Sequence, residues 1–418
     1  MTAPAAGTAV VVGASLAGAT AAFALRERGF DGEILLVGAE PGLPHERPAL
    51  SKGYLAGDMP VDKLLVRDAD AYAEHRIALR LGDAATALDT ERRTVTLASG
   101  GVLAYTHLVI ATGASNARPP IPGIDLPGVH QLRTTADADA LRAELPGLRT
   151  AVVVGQGFIG CEIAATLTTL GVAVTSVDAV PGPLWGPLGP QLSGLVRRWH
   201  TDRGTRLIND VGVSAFLPDD AGRVHAVELA DGRRLDADLV VVGVGVRPAT
   251  GWLRDTPLHL VGGAVGVDAD GRTSLPGVYA AGDVTATRDD ELDRHVRHEH
   301  WATAIDQGQR VANAITGTPQ PEPALPSFWS DQYDRTLQYA GSHDADCDIV
   351  LRGDPDQPDA PLLAFFLRAD RLAAVLGVDS GKDLRRAQRL VGQPVDPAAL
   401  SDPTVDLRRI APLTPATP

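Results

Sequence analysis

The stretch "VVVGASLAGA", residues 10–19, has glycines at the spacing of a phosphate-binding turn. Gly13, Ser15 and Gly18 occupy the G-x-G-x-x-G positions, and Glu40 follows the next apolar run. In such a turn the backbone amides at a helix start approach a pyrophosphate, and the acid accepts hydrogen bonds from ribose hydroxyls. Serine departs from the strict pattern but is small enough where the turn needs no positive φ. The stretch therefore predicts a first dinucleotide site.

A second stretch, "VVVGQGFIGCE" at residues 152–162, carries the complete pattern. Gly155, Gly157 and Gly160 supply the glycines, and Asp178 ends the following run "VAVTSVD". An acid at this place accepts from a free ribose hydroxyl and repels a 2′-phosphate. No Arg or Lys occurs from 179 to 196 to bind such a phosphate. The stretch predicts a second dinucleotide site that prefers NADH to NADPH.

Buried strands and amphipathic helices must position these two turns. Apolar, β-branched runs without polar alternation predict parallel strands covered on both faces, and they lie at 9–12, 34–37, 108–111, 151–154, 172–177, 239–242 and 278–281. Helical patterns span 16–28, 158–170 and 188–203. The strand-turn-helix-strand unit occurs twice, at 8–40 and 150–178, so the fold class is α/β with two nucleotide-binding domains.

The pattern changes after Pro323. Residues 328–378 indicate short alternating strands, and an amphipathic helix follows near 382–390, which together predict a separate α+β domain. The linker "GTPQPEPALP" at 317–326 marks its start, and the tail "APLTPATP" is expected to be disordered.

Bulk properties exclude several classes of function. The 418 residues suffice for about two to four domains, and a formal net charge of -14 opposes general binding to nucleic acid or anionic membranes. Cys161 and Cys347 are far apart and form no dithiol motif, which favours a reducing cytoplasm. The uncharged residues 1–25 contain Gly13 and Gly18 and lack a basic start, so we expect neither a signal peptide nor a membrane span.

Several motifs together resemble the FAD-dependent NAD(P)H:ferredoxin reductases that serve bacterial haem monooxygenases and ring-hydroxylating dioxygenases, the putidaredoxin reductase-like family. They are "PHERPALSKGYLAG" (44–57), "VIATGA" (109–114), "GQGFIGCE" (155–162), "VVVGVGVRP" (240–248), "LPGVYAAGDV" (275–284) and "FWSDQYD" (328–334). The resemblance implies two Rossmann-like domains of the glutathione-reductase type and a C-terminal α+β domain. An FAD-binding domain would comprise 1–114 and 246–323, an NAD-binding domain 115–245, and the third domain 324–418.

The resemblance also implies roles for the charged residues of two motifs. Arg47 and Lys52 match positions that contact the flavin, with Lys52 near its reactive N5 edge, where a cation stabilises the anionic reduced form. Glu162 matches an acid that pairs with this lysine, which would keep Lys52 charged and oriented. An acid that only complements the macrodipole at a helix start is the alternative.

Other cofactor contacts are implied at the domain junctions. Thr112 and Gly113 match the segment where the chain leaves the FAD domain, and Gly243 and Gly245 the segment where it returns. Asp283 would accept from a ribityl hydroxyl of FAD, although a Gly-Asp turn is also compatible.

Two tryptophans are further candidates. Trp301, in a helix expected at 298–315, would lie near the isoalloxazine, and Trp329 would lie beside the flavin in the C-terminal domain. Ordinary core tryptophans would give the same pattern. His295, His298 and His300 lack acidic or cysteine partners at ligand spacing, so no metal site is expected.

The expected reaction is hydride transfer from NADH to FAD, then two single-electron steps to a small iron-sulfur ferredoxin. A local basic surface would dock this acidic partner, and the candidates are Arg67, Arg294, Arg297, Arg335, Arg385, Arg386 and Arg389. We expect a monomer or weak dimer. The alternatives are an NADH oxidase or disulfide reductase, which needs a redox cysteine, a reductase module for nitrite reduction, and a redox-sensing protein resembling apoptosis-inducing factor.

Overall fold

A computed structural model of the chain describes residues 7–289, 293–357 and 359–413. Contacts divide it into two compact units. The first unit comprises Met1–Arg47, Val61–Ser115 and Val246–Pro326, and the second comprises Pro48–Pro60, Asn116–Gly245 and Ser327–Pro418. The segment Pro48–Pro60, which the expected domain boundaries assign to the FAD domain, groups with the second unit. The division into three domains stays a prediction.

Within the described residues, five parallel strands form the main sheet of the first unit. Their spatial order is Val278–Ala280, His107–Ile110, Thr8–Val12, Glu33–Gly38 and Ile77–Leu81. In the register of the central strand, Thr8 pairs with Glu33 and Ala9 with His107. Residues 9–12 are buried, as an apolar run covered on both faces requires. The carboxyl end of this strand leads into Gly13, so the first turn lies at the carboxyl edge of the sheet.

The other elements of the first unit surround this sheet. Its helices are Leu16–Glu27, Ala69–Glu74 and Trp301–Thr316, with 3₁₀ turns at Val61–Leu64 and Gly251–Leu253. Antiparallel strands Ala85–Asp89, Thr94–Leu97 and Val102–Ala104 form one small sheet. Strands Leu260–Val261, Ala264–Val267, Thr285–Asp289 and Arg294–Val296 form another. Short strands Ala114–Asn116 and Val246–Pro248 stand where the chain crosses between the units.

The second unit repeats the parallel arrangement in the part of the chain that the structure describes. The order of its five strands is Arg206–Ile208, Ala173–Val177, Thr150–Val154, Leu239–Val242 and Val129–His130. An antiparallel sheet of Val213–Pro218, Val224–Leu229 and Arg234–Asp236 follows. The helices are Gly53–Ala56, Thr135–Ala143, Phe158–Thr169 and Trp185–Asp202. The two predicted strand-turn-helix-strand units are therefore confirmed, as is the α/β fold class.

The C-terminal part of the second unit is an antiparallel sheet. Among the described residues, its strand order is Ser327–Gln332, Arg335–Gly341, Arg371–Val378, Leu362–Arg368 and Asp348–Arg352. Helices Gly381–Gln388 and Pro397–Ser401 and a 3₁₀ turn at Leu407–Arg409 complete it. The expected alternation is wrong for Leu362–Arg368, whose first six residues are all buried. Apolar clusters cover both faces of this strand, since Phe366 packs in one cluster and Phe365 in the other.

Several predicted helix limits differ from the structure. Trp185–Asp202 begins before the predicted Leu188 and bends at Gly189, where φ is +73° just ahead of Pro190. The helix expected at 298–315 spans Trp301–Thr316, and the one expected near 382–390 spans Gly381–Gln388. Residues 414–418 of the tail lie outside the described residues. No helix in the described ranges is long and apolar enough to cross a membrane.

Candidate active site

The first glycine turn leaves the start of its helix available to an anion. Gly13 has φ +117°, and a Cβ there would stand 2.0 Å from Ala111 O. Ser15 has φ -130°, so the serine needs no left-handed backbone. Helix Leu16–Glu27 has no acidic residue in its first turn and no side-chain cap on its amides. Free amides and the positive end of the macrodipole fit a pyrophosphate. Gly18 lies within this first turn.

Glu40 is held in place by Arg47 and lies close to the His45 ring. Arg47 Nη2 lies 2.8 Å from Glu40 Oε1, and His45 Nε2 lies 3.6 Å from Glu40 Oε2. Burial lowers the pKa of His45, with an opposing effect of Glu40 and a further lowering by Arg47, so this imidazole is neutral at pH 7. Arg47 therefore contacts the predicted ribose acid, and its predicted contact with a flavin stays a prediction.

The remaining candidates of the first unit follow strands or begin a helix. Thr112 donates its hydroxyl to Ala249 O at 2.9 Å, and Gly113 has φ +67°. Asp283 is half-buried, three residues after strand Val278–Ala280. Trp301, also half-buried, is the first residue of its helix, and its place beside the isoalloxazine stays a prediction.

The histidines near Trp301 form no ligand cluster with other residues that the structure describes. The pKa of His300 is lowered to about 4, mainly by burial and also by His298, while Asp283 opposes the shift. A neutral His300 imidazole near the Asp283 carboxylate is a stable arrangement that needs no metal ion. Among the residues that the structure describes, no three His, Cys, Asp or Glu side chains are placed to hold a metal.

The second glycine turn borders a cavity of about 310 Å³ in the second unit. Gly155 has φ +103°, and a Cβ there would stand 2.3 Å from Gly243 O. Asp178 accepts from Gln156 N–H at 2.6 Å and from Val180 N–H at 3.3 Å, so its carboxylate also fixes the turn. The lining consists of Gly155, Gln156, Gly157, Asp178, Val180, Leu184, Trp185, Gly186, Pro187, Gly243, Val244 and Gly245.

The start of helix Phe158–Thr169 opens onto this cavity. Gly157 is its N-cap, and a Cβ on Gly157 would meet no atom within 4 Å. The helix has no acidic residue in its first turn, and the Asp178 carboxylate on the cavity wall accepts from Gln156 N–H ahead of the helix, so the start of the helix faces a space of ligand size. Gly160 lies in that first turn. The residues present therefore fit a dinucleotide pyrophosphate. Asp178 lies on the cavity wall, where its carboxylate could accept a hydrogen bond from a ribose hydroxyl.

Lys52 and Glu162 form an ion pair inside the second unit. Lys52 Nζ lies 3.0 Å from Glu162 Oε1, and the side chains are 20% and 4% exposed. Ser51 donates its hydroxyl to Glu162 Oε2 at 2.5 Å, and Ser330 donates to Oε1 at 2.8 Å. The predicted pairing of lysine and acid is present in the structure.

The position of Glu162 argues against the helix-dipole alternative. Helix Phe158–Thr169 begins at Phe158, so Glu162 is its fifth residue and does not open it. Interaction with the macrodipole falls off within the first turn. Two hydroxyl donors and one cation around the carboxylate account for its burial instead.

The segment on either side of Lys52 is fixed by several side chains of the same unit. Thr166 donates its hydroxyl to Ser51 O at 2.8 Å, and Tyr54 donates to Asp139 Oδ1 at 2.8 Å. The Arg142 guanidinium lies 5.5 Å from the centre of the Tyr54 ring. These contacts explain why Pro48–Pro60 groups with the second unit.

Sequence analysis missed the serines that bind Glu162. Ser330 lies in "FWSDQYD", a stretch quoted for its resemblance without a role for the serine. Trp329 is the neighbouring residue on strand Ser327–Gln332, and it is 36% exposed. Neighbours in a strand point to opposite faces, so one motif supplies an exposed ring and a buried hydroxyl. That alternation was the signal available in the sequence.

Neither cysteine is suited to disulfide chemistry. Cys161 is fully buried, and burial raises the pKa of its thiol, with further raising by Glu162 and Asp178. Burial likewise raises the pKa of Cys347. Both are free thiols. Since the thiolate is the reactive form, the geometry disfavours the disulfide-reductase alternative.

At least five of the seven arginines proposed for docking are already engaged. Arg67 donates to Val66 O at 2.7 Å. Arg335 contacts Asp379 and Asp359, Arg386 contacts Asp383, and Arg297 contacts Glu299. Arg389 donates to two backbone carbonyls of the 3₁₀ segment and the residues after it. These neutralised or internally bonded side chains are poor candidates for a free basic surface.

The match to known families covers most of the chain. The pyridine nucleotide-disulphide oxidoreductase family matches residues 7–308, and the reductase C-terminal family matches 327–411. The chain belongs to the pyridine nucleotide-disulphide oxidoreductase family. The expected oxidoreductase class and the expected FAD and nicotinamide cofactors are those of this family.

Individual members of this family are similar over nearly their whole length. A ferredoxin–NAD(P)(+) reductase of Sphingomonas sp is 39% identical over 97% of this chain and 98% of its own. The ferredoxin–NAD(+) reductase component of the anthranilate 1,2-dioxygenase system of Burkholderia cepacia is 40% identical over 96% and 98%. Putidaredoxin reductase in its covalent complex with putidaredoxin matches with a TM-score of 0.93 at 33% identity, over 97% and 98%. The expected relation to oxygenase-coupled ferredoxin reductases is confirmed.

Proposed function

We propose that the protein is an NADH-dependent ferredoxin reductase that contains FAD and supplies electrons to a haem monooxygenase or ring-hydroxylating oxygenase. Its similarity to the Sphingomonas reductase and to the anthranilate dioxygenase component supports this proposal. The iron-sulfur ferredoxin partner is supported by the likeness to putidaredoxin reductase in its complex with putidaredoxin.

One helix carries the observation on which the proposal depends most. Helix Phe158–Thr169 has the glycine-lined cavity at its start and the Lys52–Glu162 pair on its second turn. A dinucleotide bound at the amides of this helix would therefore lie close to a fixed cation. Hydride transfer itself requires the nicotinamide and the flavin to lie close together, because a near-attack geometry removes much of the entropic barrier.

The chain's own residues would bind and orient two cofactors. Gly13, Ser15 and Gly18 would hold the pyrophosphate of FAD, with Glu40 on its ribose and Asp283 on its ribityl chain. Thr112, Gly113, Trp301 and Trp329 complete the proposed flavin contacts. When bound, FAD would take a hydride from NADH and release the two electrons singly to the ferredoxin. Lys52, held by Glu162, would keep a positive charge oriented where negative charge develops.

Asp178 supports NADH over NADPH. Its carboxylate lies on the cavity wall and is anchored by the Gln156 N–H, so it cannot turn away from a 2′-phosphate without breaking the turn. Gly155, Gly157, Gly160 and Gly245 would leave room for the dinucleotide.

We further propose that the protein is a monomer or a weak dimer. We also propose that it works in a reducing cytoplasm, since both cysteines are free thiols. A redox-sensing role resembling apoptosis-inducing factor would show as slow reoxidation by every ferredoxin offered. A nitrite-reduction module would show as transfer to that system and to no ferredoxin.

The test uses purified protein reconstituted with FAD. NADH should bleach the flavin faster than NADPH at equal concentration, and the reduced protein should then reduce an iron-sulfur ferredoxin coupled to a haem-protein acceptor. A polypeptide that binds no flavin, or that is bleached equally by NADPH, would contradict the proposal.

A further inference from the structure

Glu162 receives a hydrogen bond from a residue far along the chain. Ser330 Oγ donates to Glu162 Oε1 at 2.8 Å, and the two residues are 1% and 3% exposed. Gln332 is fully buried and donates its Nε2 to Ser330 Oγ at 3.2 Å. Residues two apart in a strand share a face. Strand Ser327–Gln332 thus directs two consecutive polar side chains of one face towards the carboxylate.

The hydrogen-bonded chain continues into helix Trp185–Asp202. His200 Nε2 lies 3.0 Å from Gln332 Oε1, and the histidine is 1% exposed. An amide oxygen only accepts, so His200 carries its proton on Nε2. Its Nδ1 must then accept, and the Tyr333 hydroxyl lies 3.0 Å away to donate. Thr205 Oγ1 lies 2.8 Å from the same hydroxyl.

Each bond in this chain has one possible direction. The Ser330 proton is committed to Glu162, since a carboxylate only accepts, and the serine oxygen must therefore accept from the Gln332 amide nitrogen. Because the Gln332 amide nitrogen faces Ser330, its oxygen faces His200. The His200 ring must therefore carry its proton on Nε2. All donors point towards the carboxylate, and bonds aligned in this way polarise one another in a low-dielectric interior.

We propose that Ser330, Gln332, His200 and Tyr333 are positioning residues that orient the Glu162 carboxylate and, through it, the Lys52 ammonium. The hydrogen-bonded chain ends on Glu162 Oε1, the oxygen that also pairs with Lys52 Nζ at 3.0 Å, and Ser51 separately donates to Oε2. A carboxylate that accepts hydrogen bonds on both oxygens has a fixed orientation, so its charge faces the ammonium in one direction. The role of Lys52 in this inference rests on the proposed ferredoxin reductase reaction. The hydrogen-bonded chain itself rests on the distances alone.

A pair of serine variants separates positioning from packing. Ser330→Ala removes the bond to Glu162, whereas Ser176→Ala removes a buried hydroxyl that has no hydrogen-bond partner among the described residues. In rapid mixing of the FAD-loaded protein with NADH, Ser330→Ala should slow flavin reduction roughly three- to tenfold. The dissociation constant for NADH should change by less than about twofold, because the bond does not touch the cavity. Ser176→Ala should match the wild type, and Ser330→Thr should recover most of the rate.

A double-mutant cycle tests whether the effect passes through Glu162. In a Glu162→Gln background, Ser330→Ala should slow reduction by less than about twofold further, since interacting sites are not additive. An equal slowing in both backgrounds would mean that Ser330 only ties the strand in place, and the positioning role would be lost.

A third measurement needs neither cofactor nor catalysis. Nitrogen-15 NMR of the histidine rings should show His200 as the single Nε2–H tautomer in the wild type and as a mixture in Gln332→Leu. A mixed or Nδ1–H tautomer in the wild type would contradict the proposed hydrogen-bonded chain from Tyr333 to Glu162, whatever the kinetics show. If NADH does not reduce the protein at all, the proposed function fails. The His200 tautomer still tests the hydrogen-bonded chain in that case.

Discussion

His200 should make the stability of the protein fall steeply in mild acid. The pKa of this histidine is lowered to about 4, mainly by burial and to a smaller degree by Arg203, while the Gln332 hydrogen bond opposes the shift. The groups that face the ring are Tyr333, Gln332 and Arg203, and Arg203 is itself paired with Asp334. Protonating the ring would bury a charge and reverse the Nδ1 hydrogen bond from Tyr333.

The size and sign of the effect follow from linkage. In the unfolded chain this histidine has a pKa of about 6.5, so between pH 6.5 and pH 4 the unfolded state binds a proton that the folded state does not. Stability contributed by the neutral ring is therefore complete above about pH 6.5 and is lost as the pH falls towards 4. At about 1.4 kcal/mol per pKa unit, the loss is roughly 3 kcal/mol.

The assay is urea unfolding of wild type and His200→Gln between pH 7 and pH 4, followed by tryptophan fluorescence and circular dichroism. The glutamine keeps a donor for Gln332 and does not titrate, so all other ionisations cancel in the difference between the two proteins. The wild type should lose roughly 3 kcal/mol more than His200→Gln over this range. Parallel losses in both proteins would refute the assignment of a neutral, buried His200.

Three further predictions concern the site itself. Lys52→Met should slow flavin reduction by NADH roughly tenfold or more and weaken FAD retention less, because a cation beside the reacting atoms is lost. The reduction rate of Lys52→Arg should lie between those of the wild type and Lys52→Met. Unchanged stopped-flow kinetics would show that Lys52 has no part in the reaction. Asp178→Asn keeps an acceptor for the Gln156 N–H but loses the charge, so the ratio of NADH to NADPH in kcat/KM should fall by about tenfold; a constant ratio would mean that another group sets the preference. Native Cys161 should react with iodoacetamide far more slowly than Cys347, because burial raises the pKa of its thiol; rapid loss of activity on its alkylation would revive the disulfide-reductase alternative.

Much of the fold was predictable because it depends on local patterns. Apolar runs between glycines predicted the parallel strands, and the spacing of Gly13 and Gly155 predicted where the chain turns into each helix. Both signals arise from neighbours in the sequence. The alternation expected for Leu362–Arg368 failed because burial on its second face is provided by segments distant in sequence.

The candidate site divides along the same line. Residue types and spacing indicated two dinucleotide turns and the acids Glu40 and Asp178, whereas the pairing of Lys52 with Glu162 was implied by the resemblance to known reductases. The sequence determined these because phosphate turns are built within about thirty residues of chain. Only the tertiary structure decided that Glu162 meets Ser330 and, through Gln332, His200. Those contacts join residues more than a hundred positions apart, and no periodicity in the chain encodes which buried hydroxyl will meet which buried carboxylate.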